Sequence, residues 1–285
     1  VDYQPNARII RLSQQTLIKY PVQHPLLKKY IRFFWALRID HAQLNHKIIP
    51  QRNINLRFNL SETSHFVNIN NSEYSLEDVY FLGLHDHFGN VNLKINGKVD
   101  VLGICFYPDG FYPFLKIPVS EFKNQLLGAE EVGFKAAVSI NEQLKLTTDI
   151  GLRLNILETG LVKILDDDFY IPRDFRQLFL SLKNGGNFDH LTEFCKQNNV
   201  SIRKSERLFN KYVGIPANTY MLLNRFHSSV NQILYSDYSK LSDLAYDNGY
   251  FDQMHFISDF KRFAGNTPKK FSQQNNSILQ IGKMG

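Results

Sequence analysis

Short stretches between about Lys47 and Phe114 alternate apolar and polar positions with a period of two: His46–Pro50, Ile54–Leu60, His65–Ile69, Val91–Ile95 and Val101–Tyr107. That period places successive side chains on opposite faces of a strand. Asn96-Gly97 and Asp109-Gly110 lie between or beyond these stretches and carry the chemistry of tight turns. The pattern predicts a small β-barrel or sandwich. From about Asn141 to Leu165 the period becomes helical, with Ile150, Leu154, Leu157, Leu161 and Ile164 spaced four, three, four and three. Such spacing lays one apolar seam along a helix, suited either to packing on the barrel or to dimerisation. Asp166-Asp167-Asp168 then opposes the helix dipole, and Pro172 follows, so a domain boundary is expected here.

Beyond Pro172 the helical period continues. Helices are predicted near 173–183, 188–197, 201–212, 217–234, 239–248 and 252–263, before a polar tail rich in Asn and Gln. The fold class is therefore α+β in two domains: residues 1–168, β-rich with flanking helices, and residues 173–272, all helical, with 273–285 as a flexible tail.

The helical half contains an internal echo. Leu191–Phe209 resembles Leu241–Phe260, with one extra residue in the second copy. Each copy reads as a short helix, a tight turn and a second helix that ends in an aromatic. Cys195 and Ala245 fall at the same point, where two crossing helices need a small side chain. Gly249 supplies a residue that takes positive φ without steric cost, and Asn199 is the next best residue for that conformation. The echo continues from Phe209–Tyr220 to Phe260–Phe271, so two helix-turn-helix units joined by one helix are predicted.

Charge sharpens this picture. Residues 1–171 carry 18 basic and 18 acidic side chains, whereas residues 172–285 carry 15 and 9. The excess of positive charge lies wholly in the half with the twin units, as expected where one half meets a polyanion.

At Leu244-Ala245, Gly249–Phe256, Phe260-Lys261 and Gly265–Pro268 the sequence resembles the AraC-type transcription regulators, over roughly residues 175–272. It departs at Ser205, where the family commonly has Leu, and at Pro216-Ala217, where the Pro usually falls one position later. The resemblance implies double-stranded DNA as a partner, RNA polymerase as another, a bacterial cytoplasmic setting, no cofactor, and activation as the commoner outcome. It also implies an N-terminal domain that binds a small-molecule effector or forms a homodimer. Pro25–Trp35, Ile49-Pro50 and Gly103–Gly110 resemble a less characterised, cupin-like sensor domain found in front of such units.

In helix-turn-helix units the second helix enters the major groove. The first reader presents Ser201, Arg203, Lys204, Arg207 and Lys211. The second presents Asp252, Gln253, His255, Ser258, Lys261 and Arg262. Arg203, Arg207 and Gln253 suit base edges, because Arg pairs bidentately with guanine and Gln with adenine. Lys204, Lys211, Lys261 and Arg262 suit phosphates.

The N-terminal half offers less chemistry. Trp35, Phe106, Tyr107 and Tyr112 are candidates to line an effector pocket, against the alternative of core packing. His85-Asp86-His87 has the His-x-His form of a metal-binding strand, yet Phe88–Lys98 contains no carboxylate, so no metal site is expected. Cys105 and Cys195 are too few for a Cys-built zinc site. No apolar run is long enough for a membrane span, and no secretory signal is read. The expectation is a regulator and not an enzyme. The alternatives are a metal-dependent cupin-type enzyme domain fused to a DNA-binding module, and a ligand-independent regulator that uses its N-terminal half for protein contacts.

Overall fold

The computed structural model describes residues 8–12, 15–89, 91–166, 169–183, 188–235 and 240–273; for 8–12, 15, 16, 46, 47, 183, 188–190 and 235 it describes the backbone alone. The tail expected at 273–285 lies almost wholly outside the described residues. Among the described residues nine antiparallel strands make one sheet: β1 (Arg8–Leu12), β2 (Gln15–Tyr20), β3 (Ile31–Lys47), β4 (Asn55–Asn59), β5 (Phe66–Ile69), β6 (Ser72–Ser75), β7 (Val79–Leu82), β8 (Val91–Phe106) and β9 (Leu126–Gly128). The main order is β1-β2-β3-β8-β4-β7-β9, and β5 pairs with β8 and carries β6.

β8 organises this domain. Its first part, Val91–Lys94, pairs with β5, whereas Val101–Cys105 pairs with β4, and β3 runs along both. The sheet thus folds round an interior filled by Leu17, Phe33, Trp35, Leu37, Leu44, Val67, Leu93, Ile95, Val99, Val101 and Cys105. The opposite faces of the same strands, with Phe34, Leu56, Phe58, Leu102, Ile104 and Phe106, pack against helices. This is the barrel-like arrangement that the alternation predicts.

Two expectations need correction. Val91–Ile95 and Val101–Tyr107 are not separate strands joined at Asn96-Gly97; apart from Tyr107, just past its end, both belong to the continuous β8. Gly97 pairs with Ala42, and next to it Asp40 and His41 of β3 stand opposite Lys98 alone, so a bulge replaces the expected hairpin. His46–Pro50 is not a strand of its own either: β3 ends at Lys47. The run Ile31–Leu37 hides β3 because both of its faces are buried, so no alternation is visible.

Ten helices follow among the described residues: α1 (Tyr112–Leu115), α2 (Lys135–Lys145), α3 (Ile150–Ile164), α4 (Arg173–Lys183), α5 (Phe188–Gln197), α6 (Ile202–Tyr212), α7 (Ala217–Tyr235), α8 (Leu241–Asp247), α9 (Gln253–Ala264) and α10 (Pro268–Gln273). Asp149 caps α3 by accepting from the Leu152 amide at 2.8 Å. The apolar seam of α3 settles against the chain's own domain, with Leu154, Leu157 and Leu161 fully buried there. Polar bonds fix it in place: the buried Arg153 donates Nη1 to both carboxylate oxygens of Asp100 at 2.9 and 2.8 Å. Glu158 accepts the Gln23 amide at 2.6 Å. The helical half then joins the same core, since Phe175, Phe179, Phe209 and Phe226 belong to one apolar cluster with Phe34 and Phe106.

Candidate nucleic-acid interface

The two units repeat at the level of the backbone. In the first, α5 ends in a turn where Asn199 has φ 53°, and the Val200 amide donates to the Cys195 carbonyl at 2.9 Å. In the second, α8 ends where Gly249 has φ 70°, and the Tyr250 amide donates to the Ala245 carbonyl at 3.0 Å. Both are left-handed closures that satisfy the last helical carbonyls. Each reader then starts on a side-chain cap. Ser201 accepts from the Lys204 amide at 3.2 Å, and Asp252 accepts from the His255 amide at 2.7 Å. Each reader ends at a glycine of positive φ, Gly214 at 91° and Gly265 at 70°.

The echo extends further than the sequence pattern showed. α10 corresponds to the first turns of α7: Tyr220 packs on Phe209 with ring centres 6.1 Å apart, and Phe271 packs on Phe260 at 5.2 Å. The matched spacing of Phe209–Tyr220 and Phe260–Phe271 held the signal for α10. Between the units, the 19 residues of α7 span about 28 Å. Asn248 Nδ2 donates to Gln232 Oε1 at 2.6 Å and ties α8 to α7.

Departures inside the first unit have a packing reason. Ser205 is fully buried and its hydroxyl lies 3.2 Å from the Cys195 thiol. The matching places in the second unit hold Ala245 and Phe256, both fully buried. A small residue facing a large aromatic in one unit is thus replaced by two small polar residues in the other.

Most of the sequence-predicted DNA residues are exposed. On α6 and its cap these are Ser201, Arg203, Lys204 and Arg207, with Lys211 half-buried; on α9 they are Gln253, His255, Ser258, Lys261 and Arg262, with Asp252 half-buried as the cap. Leu208, Phe209, Phe256 and Phe260 face inward. Several of the polar groups have partners within the chain. Lys204 Nζ lies 2.6 Å from Asp174 on α4 and holds that carboxyl below its usual range. Exposed pairs of this kind contribute little and yield readily. His255 Nε2 lies 3.6 Å from Asp259, whose partial burial raises its pKa against the opposing pull of His255, Arg262 and Arg225. The sequence reading assigned no role to Phe251 and Met254, which are 85% and 73% exposed at the start of α9. Their signal was an aromatic and a thioether on the outward side of an otherwise polar helix start.

The N-terminal domain touches both readers. Lys211 Nζ sits 4.9 Å from the ring centre of Tyr112, which itself packs edge-on against Tyr212 at 5.1 Å. At the second unit the Phe88 amide donates to the Arg262 carbonyl at 2.9 Å, and the Phe88 ring covers Gly265. The joining helix is held as well: Arg52 donates to Asn224 at 2.8 Å, and His227 is fully enclosed, which keeps it neutral well below its usual pKa.

The four aromatics proposed for an effector pocket are not brought together. Trp35 lines a narrow space inside the barrel with Arg57 and Tyr80. Phe106 lies on the other face of the sheet, packed edge-to-face with Phe111 and Phe114 at 5.2 and 5.3 Å. Tyr112 faces α6. Tyr107 lies just beyond β8, its amide bonded to the Tyr30 carbonyl at 2.9 Å. One strand residue of alternation separates the two faces, which is why Trp35 and Phe106 part. His85-Asp86-His87 occupies a loop: His85 Nδ1 lies 3.0 Å from the Gly83 carbonyl, and His87 Nδ1 lies 2.6 Å from Asp86. Among the described residues no three His, Cys, Asp or Glu side chains gather as a metal site.

Two helix-turn-helix units with exposed basic reading helices on one stiff connector define a DNA-binding transcription regulator. Residues 194–274 match the family described as a helix-turn-helix domain, and residues 23–128 match a domain of unknown function, DUF6597. The match over residues 194–274 is to a helix-turn-helix domain, in the half where the sequence resembles the AraC-type regulators. No curated protein matches the chain. Among solved structures it is similar to ToxT from Vibrio cholerae, at 10% identity over 84% of this chain and 97% of that one, with a TM-score of 0.44. An unsaturated fatty acid bound form of ToxT from the same organism gives 12%, 84%, 93% and 0.42. The EutQ protein of Clostridium difficile gives 4% identity over 34% of this chain and 75% of that one, with a TM-score of 0.25. At these scores the likeness is too loose to transfer residues or ligands.

Proposed function

We propose that this chain is an effector-responsive transcription regulator of the bacterial cytoplasm, in which α6 and α9 read neighbouring major grooves and the N-terminal domain sets their arrangement. The observation that carries this reading is the double contact of that domain with the readers, Tyr112 against Lys211 and Phe88 against Arg262. A change in the barrel domain bears on both readers through these contacts. Arg203, Arg207 and Gln253 read base edges in this account, and Lys204, Lys211, Lys261 and Arg262 hold phosphates. Phe251 and Met254 add apolar surface suited to thymine methyl groups. Ser201 and Asp252 shape the reader starts as caps. His255 and Ser258 stand on the same outward face. RNA polymerase and a second copy of the chain complete the set of partners.

A catalytic barrel is the weaker reading, because His85 and His87 direct ring nitrogens at protein partners and not at a common point. Genome-wide mapping of bound DNA tests the proposal. Discrete sites upstream of a few operons are expected; uniform coverage would contradict it.

A further inference from the structure

Among the described side chains of the N-terminal domain two arginines are deeply buried, and only one of them faces a carboxylate. Arg153 meets Asp100. Arg57, 3% exposed, has no carboxylate within ion-pair distance among the described residues. It stands on β4, where Leu56 and Phe58 face the helices and Arg57 faces the barrel interior. Its neighbours form a cross-strand row. Trp35 on β3 pairs with Gly103 on β8, Gly103 with Arg57, and Arg57 with Tyr80 on β7. The guanidinium carbon lies 5.6 Å from the Trp35 ring centre and 5.7 Å from that of Tyr80. Gly103 makes the stack feasible, since a Cβ there would stand 2.1 Å from the indole.

Buried polar atoms without partners gather round this row. Arg57 Nε, Trp35 Nε1 and both ring nitrogens of His65 are buried with no hydrogen-bond partner, and the contact from Arg57 Nη1 to the Tyr80 hydroxyl is long at 3.5 Å. Buried donors and charges left in this condition are costly, and an ordered water or a ligand completes the bonding at such places. Aromatic faces offset part of that cost for a guanidinium but supply no acceptor in its plane. The free space beside the row is about 20 Å³, walled by Leu17, Leu37, Leu44, Leu93, Ile95, Val99 and Val101. Leu44 also borders an open cleft of about 540 Å³ at Ile39–Leu44 and Asn96-Gly97.

We infer that the barrel interior binds a small organic carboxylate with an apolar body, its carboxylate on Arg57 between Trp35 and Tyr80. The guanidinium fork matches a carboxylate in its own plane. The space at the row is about that of one water, so the aliphatic side chains yield on entry, and the body extends between them towards the cleft past Leu44. This rests on reading the N-terminal domain as an effector domain and adds the chemical class of the effector.

The test uses the full chain and direct calorimetric titration with straight-chain monocarboxylates from acetate to octanoate, the matching primary alcohols, chloride and phosphate. Carboxylates are expected to bind, with about fourfold tighter affinity per added methylene until the walls are filled. Alcohols are expected to bind at least tenfold more weakly, a comparison that needs no variant. Arg57→Lys keeps the charge without the fork and is expected to weaken octanoate at least tenfold. Alcohols binding as well as carboxylates, response to chloride or phosphate alone, or unchanged octanoate affinity in Arg57→Lys would each overturn the site. Operator affinity measured with and without octanoate separates the two levels. Octanoate binding that needs Arg57 but leaves DNA affinity unchanged would uphold the site and overturn the effector reading. Absent carboxylate binding overturns the site and leaves that reading intact.

Discussion

The Cys195 thiol and the Ser205 hydroxyl lie 3.2 Å apart where the first two helices of the leading unit cross. Their counterparts, Ala245 and Phe256, fill the same crossing with apolar volume. Cys195→Ala therefore leaves a buried hydroxyl without its partner and is expected to destabilise the chain by about 1–2 kcal/mol. Adding Ser205→Ala removes the orphaned group, so the double variant should lose less than the two single losses combined. Urea midpoints for the four proteins check this; strict additivity would mean that the pair does not interact.

Gly249 and Gly265 share a φ of 70° but differ in surroundings. A Cβ at Gly249 meets nothing within 4 Å, whereas at Gly265 it would stand 2.5 Å from the Phe88 ring. Gly249→Ala is expected to cost about 1 kcal/mol of backbone strain. Gly265→Ala should cost more and, in addition, loosen the contact between the domains. Hydrogen exchange at residues 262–271 checks the second effect: it should rise in Gly265→Ala and in Phe88→Ala, but not in Gly249→Ala.

His65 gives the fold a pH dependence. Burial, reinforced by the nearby Arg57 charge and opposed by Asp78, pushes its pKa down to about 4, and Tyr80 packs edge-on against its ring. Unfolded, the imidazole takes up a proton below about 6.5. Between these values only the unfolded chain is protonated, so stability falls as pH drops from about 6.5 to about 4, and this group contributes no slope above that window. His65→Gln should flatten the decline in urea midpoint between pH 6.5 and 4.5. An unchanged decline would exclude His65 as its source.

The helical half was legible because most of its helices have one buried face and one exposed face. Predicted bounds for 173–183 and 188–197 coincide with α4 and α5, and the two positive-φ positions, Asn199 and Gly249, follow from residue chemistry alone. The barrel was harder to read. β3 buries both faces, so Ile31–Leu37 shows no period, and Asn96-Gly97 carries hairpin chemistry yet serves a bulge. Arg57 was invisible as a candidate because its significance lies in partners from three other strands. An arginine in an alternating strand reads as solvent-facing until register places Trp35, Gly103 and Tyr80 beside it. The contacts of Phe88 and Tyr112 with the readers are likewise long-range, and no local pattern encodes them.

The central claim concerns the readers, and selection of bound duplexes from a randomised pool tests it most directly, comparing the wild type with Arg203→Ala and Lys261→Ala at matched occupancy. The account predicts two conserved half-sites spaced by about one helical turn of 10–10.5 base pairs. Arg203→Ala should erase base preference within one half-site, while Lys261→Ala weakens binding across all sequences and leaves the preferred sequence intact. A single undivided site, or loss of preference that is the same in both variants, would contradict it.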